Sequence, residues 1–272
     1  MKKIFISMLY STLLLLGVVS INADDKISAY LVGEHIEVDV AKAKLGEVGF
    51  EVIALYSPVK EGTTLIFTNE VLKAEGAKSK RAHAAILRMF IDDKEKRVSV
   101  TNPIYFGRAF MQDWYKEDVF IEQFEKIYSA FPNLEGSKDS LEFDNLADFH
   151  FMMGMPYYED PDELAEGEHK DLLAKARNYK KGKLLIFELK LSDKSTLFGY
   201  EIGSKTKKFV KKIGRANAAV LPYCISIEDG KATALAPKFY LAVSYPQLSL
   251  SEFTRISSVP GAIEKDLKKP FK

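Results

Sequence analysis

The sharpest chemical signal in this chain is His150-Phe151-Met152-Met153-Gly154-Met155. On a strand, alternate residues share a face, so His150 and Met152 would point together. Imidazole beside thioether is a soft donor pair that suits Cu(I) or a haem iron. The competing reading is a core strand in which methionine fills gaps. No third ligand follows at regular spacing, and the Cys-x-x-Cys-His of covalent haem attachment is absent. No cofactor is therefore expected, with copper or haem on His150 and Met152 as the alternative.

Carboxylates cluster in Glu159-Asp160-Pro161-Asp162-Glu163, followed by Glu166 and Glu168. A calcium loop would need alternating Asp/Asn and a glycine, which this run lacks. The run instead predicts a helix start, where acids are stabilised by the backbone dipole. The four histidines (His35, His83, His150 and His169) show no metal-ligand spacing. There is no Gly-x-Ser-x-Gly elbow, no phosphate-binding glycine loop and no dinucleotide fingerprint. His83 is the one candidate base. The chain is read as more a binder than an enzyme, with one active module as a further alternative.

One heptapeptide occurs twice: Arg81-Ala82-His83-Ala84-Ala85-Ile86-Leu87 returns as Arg215-Ala216-Asn217-Ala218-Ala219-Val220-Leu221, 134 residues later. The offset extends to Ile91 with Ile225 and to Pro103 with Pro237. Two copies of one module follow from this. Both keep an arginine, and two guanidiniums at the seam between copies could grip an anionic ligand or a partner's carboxylate. The competing reading is a cation closing the C-terminus of a short helix. The copies part at His83, which becomes Asn217. At the same offset Cys224 takes the place of Phe90, which predicts a buried, inert thiol.

These groups must be placed by elements, and periodicity supplies them. In the first module, strands are expected over residues 27–32, 50–56, 63–67, 84–91 and 97–101, with a turn at 57–62. Helices are expected over Val38–Glu47 and about 69–79. In the second, a strand at 149–157 and a helix at 161–179 precede strands at 183–187 and 196–200, a helix at 205–213 and a hairpin over 220–235. Residues 110–131 predict one amphipathic helix, with Phe120, Phe124, Ile127 and Phe131 packed between the modules. The fold class expected is α+β: two similar modules, each a mainly antiparallel sheet covered by helices.

The ends and the composition set the compartment. Lys2-Lys3, an apolar stretch to Ile21 and the small Ala23 predict a cleaved secretory signal over residues 1–23. The module boundaries expected are 24–110 and 148–256, with a connecting helix and loop over 111–147 and a tail over 257–272. Export is expected, to the periplasm of a Gram-negative bacterium, with no membrane insertion after cleavage. Lys and Arg total 39 against 38 Asp and Glu, a balance that argues against a nucleic-acid binder. With one cysteine there is no internal disulfide, so stability must come from packing.

The motifs Thr64-Leu65-Ile66-Phe67, Ala84-Ala85-Ile86-Leu87 and Val98-Ser99-Val100-Thr101-Asn102-Pro103 with Tyr105 resemble the family called domain of unknown function 302. The second copy resembles it through Ala219-Val220-Leu221-Pro222-Tyr223 and Ala236-Pro237-Lys238-Phe239, departing from it at Ala236, where the family carries Asn. The resemblance implies a small α+β domain that pairs with another copy, here as an intramolecular pseudo-dimer, and implies no activity. The expected function is non-catalytic binding of a small anionic molecule or an envelope protein. Its expected site is the seam, formed by Arg81, Arg215, His83, Asn102, Tyr105, Phe239 and Tyr240.

Overall fold

The structure, a computed structural model, describes Asn22 and residues 24–272; apart from Asn22, the expected signal lies outside the described residues. The first module runs β1 (Lys26–Ser28), β2 (Tyr30–Glu34), α1 (Val38–Glu47), β3 (Glu51–Val59), β4 (Gly62–Thr68), α2 (Glu70–Gly76), a 3-10 turn over Ala82–Ala85, β5 (Leu87–Asp92), β6 (Arg97–Thr101) and α3 (Pro103–Met111). Helix α4 (Glu117–Ala130) and strands β7 (Glu135–Gly136) and β8 (Ser140–Glu142) follow. The second module runs β9 (Asp162–Glu166), α5 (His169–Asn178), β10 (Leu185–Lys190), β11 (Ser195–Tyr200), α6 (Phe209–Ile213), a 3-10 turn over Arg215–Val220, β12 (Tyr223–Glu228), β13 (Lys231–Ala234) and α7 (Pro237–Ser244). Helices α8 (Leu250–Arg255) and α9 (Val259–Lys268) close the chain. No helix of the described residues is long and apolar enough to cross a membrane.

The fold is α+β, and the duplication is visible as topology. One sheet is ordered β3-β4-β5-β6-β2-β7 and the other β10-β11-β12-β13-β9. All pairs in both are antiparallel. In each module the opening strand lies beside the last hairpin strand, so α1 or α5 must carry the chain across to the far edge. Local chemistry sets the shared ends. Asn102 accepts from the Ile104 N–H at 3.0 Å and Pro103 occupies the first turn of α3. Ala236 leaves α7 without that cap, although Pro237 still opens the helix.

Several expectations are corrected. Residues 149–157 form an irregular loop, because their apolar side chains dock separately: Phe149 on Phe239, and Phe151 on Phe253. The strand of that module is β9, inside the expected helix. Leu164 turns inward between exposed Glu163 and Glu166, and β9 covers the open edge of β13 through Ala165 opposite Ala232. The acidic run therefore leads into an edge strand, where outward carboxylates are tolerated. The single helix over 110–131 is two helices. Gly107 lets the Phe120 ring lie against α3, and the chain reverses at Gln112, whose φ is 53°. Helix α4 packs on the first module, through Gln123 to Asn69 at 2.6 Å and Ala130 to Lys44 at 3.0 Å, and does not separate the two modules. Residues 57–59 continue β3, and residues 84 and 85 belong to the 3-10 turn. The expected tail contains α9, which buries Val259, Ile263 and Leu267.

The repeat register also changes. Asp92 faces Arg97 and Glu228 faces Lys231, so Glu228 is the equivalent of Asp92, at an offset of 136. Leu221-Pro222 adds two residues before β12, and the turn Asp229-Gly230 is two shorter than residues 93–96. The offset of 134 is thus restored at β6 and β13. Cys224 consequently matches Arg88, and Ser226 matches Phe90. A shift of two leaves every side chain on its original face, which hides the slip from periodicity.

Candidate functional site

Along β5, Arg88, Phe90 and Asp92 alternate with Leu87, Met89 and Ile91. The first set turns toward the second module. Arg88 Nη2 donates to the Pro222 carbonyl at 3.2 Å and lies 3.1 Å from Cys224 Sγ. Equivalent positions of the two copies thus touch, as they do near a two-fold axis. Helices α3 and α7 meet across the same seam, with Tyr105 Oη donating to the Val243 carbonyl at 2.6 Å and Phe110 6.2 Å from Tyr240. Tyr30 stacks on Tyr245 at 5.5 Å.

The two repeated arginines serve different ends. Arg215 reaches into the first module. Its Nη2 donates to Asp92 Oδ1 at 2.8 Å and to the carbonyls of Lys60 and Glu61, and its Nε reaches Asp92 Oδ2 at 3.1 Å. Asp92 is fully buried. Burial alone would raise its pKa, but hydrogen bonds from Arg215 and from the Glu95 and Lys94 amides hold it below the usual carboxylate value. Arg81 instead pairs with Glu159 at 2.7 Å and lies 5.2 Å over the Tyr158 ring. Its expected counterpart, Glu228, accepts from the Lys80 backbone N–H at 3.0 Å. Both guanidiniums are therefore already paired within the chain.

Where the first 3-10 turn meets the second sheet, a cleft of about 440 Å³ opens. Its buried lining is Ala82, Tyr158, Ser226 and Leu235, with His83 mostly buried beside them. Exposed around it are Glu159, Asp160, Glu163 and Asp229, with Glu228, Lys80 and Lys231. Tyr158 is fixed by donating to the Lys80 carbonyl at 2.7 Å. Burial, followed by the charge of Arg88, lowers the pKa of His83 to about 3, so its imidazole is neutral. Behind His83 and Leu235 a void of about 10 Å³ reaches Arg88, Cys224 and Tyr240. The Arg88 Nε is buried there without a hydrogen-bond partner among the described residues.

Duplication produces a second cleft on the other side, about 670 Å³, lined by Ala216 of the second turn, Arg97 and Ser99 of β6, and Tyr30 with Tyr245. Phe90, the match of Ser226, is 1% exposed and does not line it; its ring lies close over Gly62. The serine opens the floor of the first cleft at a position where the first copy is filled.

Of the residues expected at the site, His83 lines the first cleft and Arg81 borders it through Glu159 and Tyr158. Tyr240 lines only the void. Asn102 caps α3 and donates to the Ser28 carbonyl at 2.9 Å, while Tyr105 and Phe239 are core residues of the seam. His150 lies 4.5 Å from Tyr157, ring to ring, and Met152 is on the loop. The shared strand face that would have joined this pair does not exist. Sequence reasoning missed Tyr158, Ser226 and Thr233, and assigned Glu163 to a helix start. Only the sheet register, which sets Ser226 against Phe90, could have signalled the serine. Comparison with protein-family models, with curated proteins and with solved structures gives no match.

Proposed function

We propose that this chain is a non-catalytic binding protein, exported to a bacterial envelope, whose ligand occupies the first seam cleft. The observation that carries this reading is Ser226 on the cleft floor, where the equivalent position of the other copy holds the packed Phe90. Duplication creates two similar clefts, and only in the first does the residue at this floor position line the cleft. A concave site at a module interface, with a few convergent polar groups on an apolar lining, suits a small molecule. The leader-like residues 1–23 support export, and the repeated sheet order supports an internal duplication. His83 favours binding over proton transfer, since an imidazole whose pKa has fallen to about 3 is a weak base at neutral pH. Crystals of the protein and of Ser226→Phe soaked with the same fragment set test the reading. Fragments should gather in the cleft of the first and vanish from the second. Fragments that gather elsewhere, or that ignore the phenylalanine, would overturn it.

A further inference from the structure

We infer that the ligand of this cleft is an amphipathic cation: an amine held at the mouth, carrying a neutral, largely apolar body that lies against the floor. The inference rests on the binding role proposed above and adds the chemical class.

Charge at the mouth is one-sided. Five carboxylates line the cleft against the two ammoniums of Lys80 and Lys231. Some are engaged already: Glu159 by Arg81, Glu228 by the Lys80 backbone N–H, and Asp229 by Lys194 at 3.5 Å. Asp160 accepts from the Tyr157 N–H at 3.1 Å, and neither it nor Glu163 is held by a salt bridge among the described residues. Both are exposed and belong to the lining. A cation at this point would meet two carboxylates that no protein cation bonds directly, the nearby Lys268 ammonium being bonded to Glu264 while it feels the charge of Glu163.

The floor is different in kind. Ser226 is 5% exposed, lines the cleft, and its hydroxyl has no hydrogen-bond partner among the described residues. A hydroxyl that bonds nothing within the chain and keeps its exposure toward a cleft is free to bond whatever enters it. Neutral His83 lies beside it, with Ala82 and Leu235 supplying apolar surface. Arg88 stands behind this floor, reached through the void, so a positive group driven deep would meet a guanidinium. Attraction at the mouth and repulsion behind the floor set the orientation: ammonium outward, neutral body inward.

Three probes of one skeleton isolate the charge: 2-phenylethylamine, 2-phenylethanol and phenylacetate. Each is titrated into the purified protein while the amide resonances of Ser226 and Thr233 are followed by NMR. The amine should bind about tenfold more tightly than the alcohol, a preference that falls as salt is raised, and the acid should bind more weakly than either. Asp160→Asn with Glu163→Gln should bring amine and alcohol to parity without changing alcohol binding. Both residues are exposed, so the fold should tolerate the change. Alcohol or acid binding as tightly as the amine overturns the cationic class and leaves the cleft as a binding site. If none of the three moves these resonances, the cleft reading itself fails and takes the inference with it.

Discussion

Removing Arg215 should expose how much the seam depends on one buried ion pair. Arg215→Ala leaves Asp92 fully buried, still bonded to the Lys94 and Glu95 amides but without its counter-ion. Breaking a buried pair from one side costs about 3–5 kcal/mol. Arg215 is partly solvated, its side chain 21% exposed, which places the expected loss near the lower end, about 3 kcal/mol. For a chain of this size that is about 6–12 °C in Tm. The pH dependence gives the sharper test. In the intact protein the folded pKa of Asp92 is depressed, so its contribution is present above the unfolded value of about 3.9 and is lost as pH falls through the folded pKa. In the variant, burial without Arg215 raises the folded pKa, so protonation relieves the penalty as pH falls. Both effects narrow the gap between the proteins below about pH 5. Urea unfolding at a series of pH values from 7 to 4 measures this gap. A gap below about 0.5 kcal/mol at pH 7, or one that does not change with pH, would refute the reasoning and reduce the pair to an ordinary surface contact.

Three further outcomes are expected. His83→Asn installs the residue that the second copy carries at Asn217. Because the folded pKa of His83 is lowered to about 3, the unfolded chain binds the extra proton between that value and about 6.5, and stability falls with pH in this window by up to about 1.4 kcal/mol per pH unit; the variant should lose one proton's worth of slope in urea midpoints against pH, and an unchanged slope would show His83 to be solvated. Cys224 is 2% exposed and burial raises its pKa despite Arg88, so native protein should resist thiol reagents that react fully in denaturant; rapid labelling of folded protein would contradict the buried assignment. Gly107→Ala places a methyl within the Phe120 ring, and calorimetry should report a loss of about 1–3 kcal/mol from overpacking, where a stabilised protein would mean that α3 and α4 can separate freely.

Much of the first module was legible in the residues. Helix α1 and strand β6 lie where periodicity places them, Val38–Glu47 and Arg97–Thr101. Both combine a clear pattern with defined ends, Gly49 after the helix and Asn102-Pro103 after the strand. Residues 149–157 misled because their aromatic side chains have strand propensity wherever they occur, and methionine fits a core strand as a gap-filler. What placed them in a loop is contact with α7 and α8, which are distant in sequence. Residues 162–166 misled in the other direction. Their acids suit a helix start, and only the vacant edge of β13 makes them a strand.

The repeated heptapeptide shows the division most plainly. From its residues alone came the duplication, the α+β class and two points of comparison, Arg81 kept as Arg215 and His83 changed to Asn217. These are local or self-referential facts, recoverable because matching residues and period-two patterns are written along the chain. Which arginine latches the modules, which borders a cleft, and which copy has its floor opened were decided in three dimensions. Two compensating shifts of two residues made Ser226 the equivalent of Phe90 while keeping every inward position inward, so no pattern of hydrophobicity registered the change. The cleft itself joins a turn of one copy to the sheet and loop of the other. A surface made of residues 79–83, 158–163 and 226–235 exists only once both copies have folded against each other.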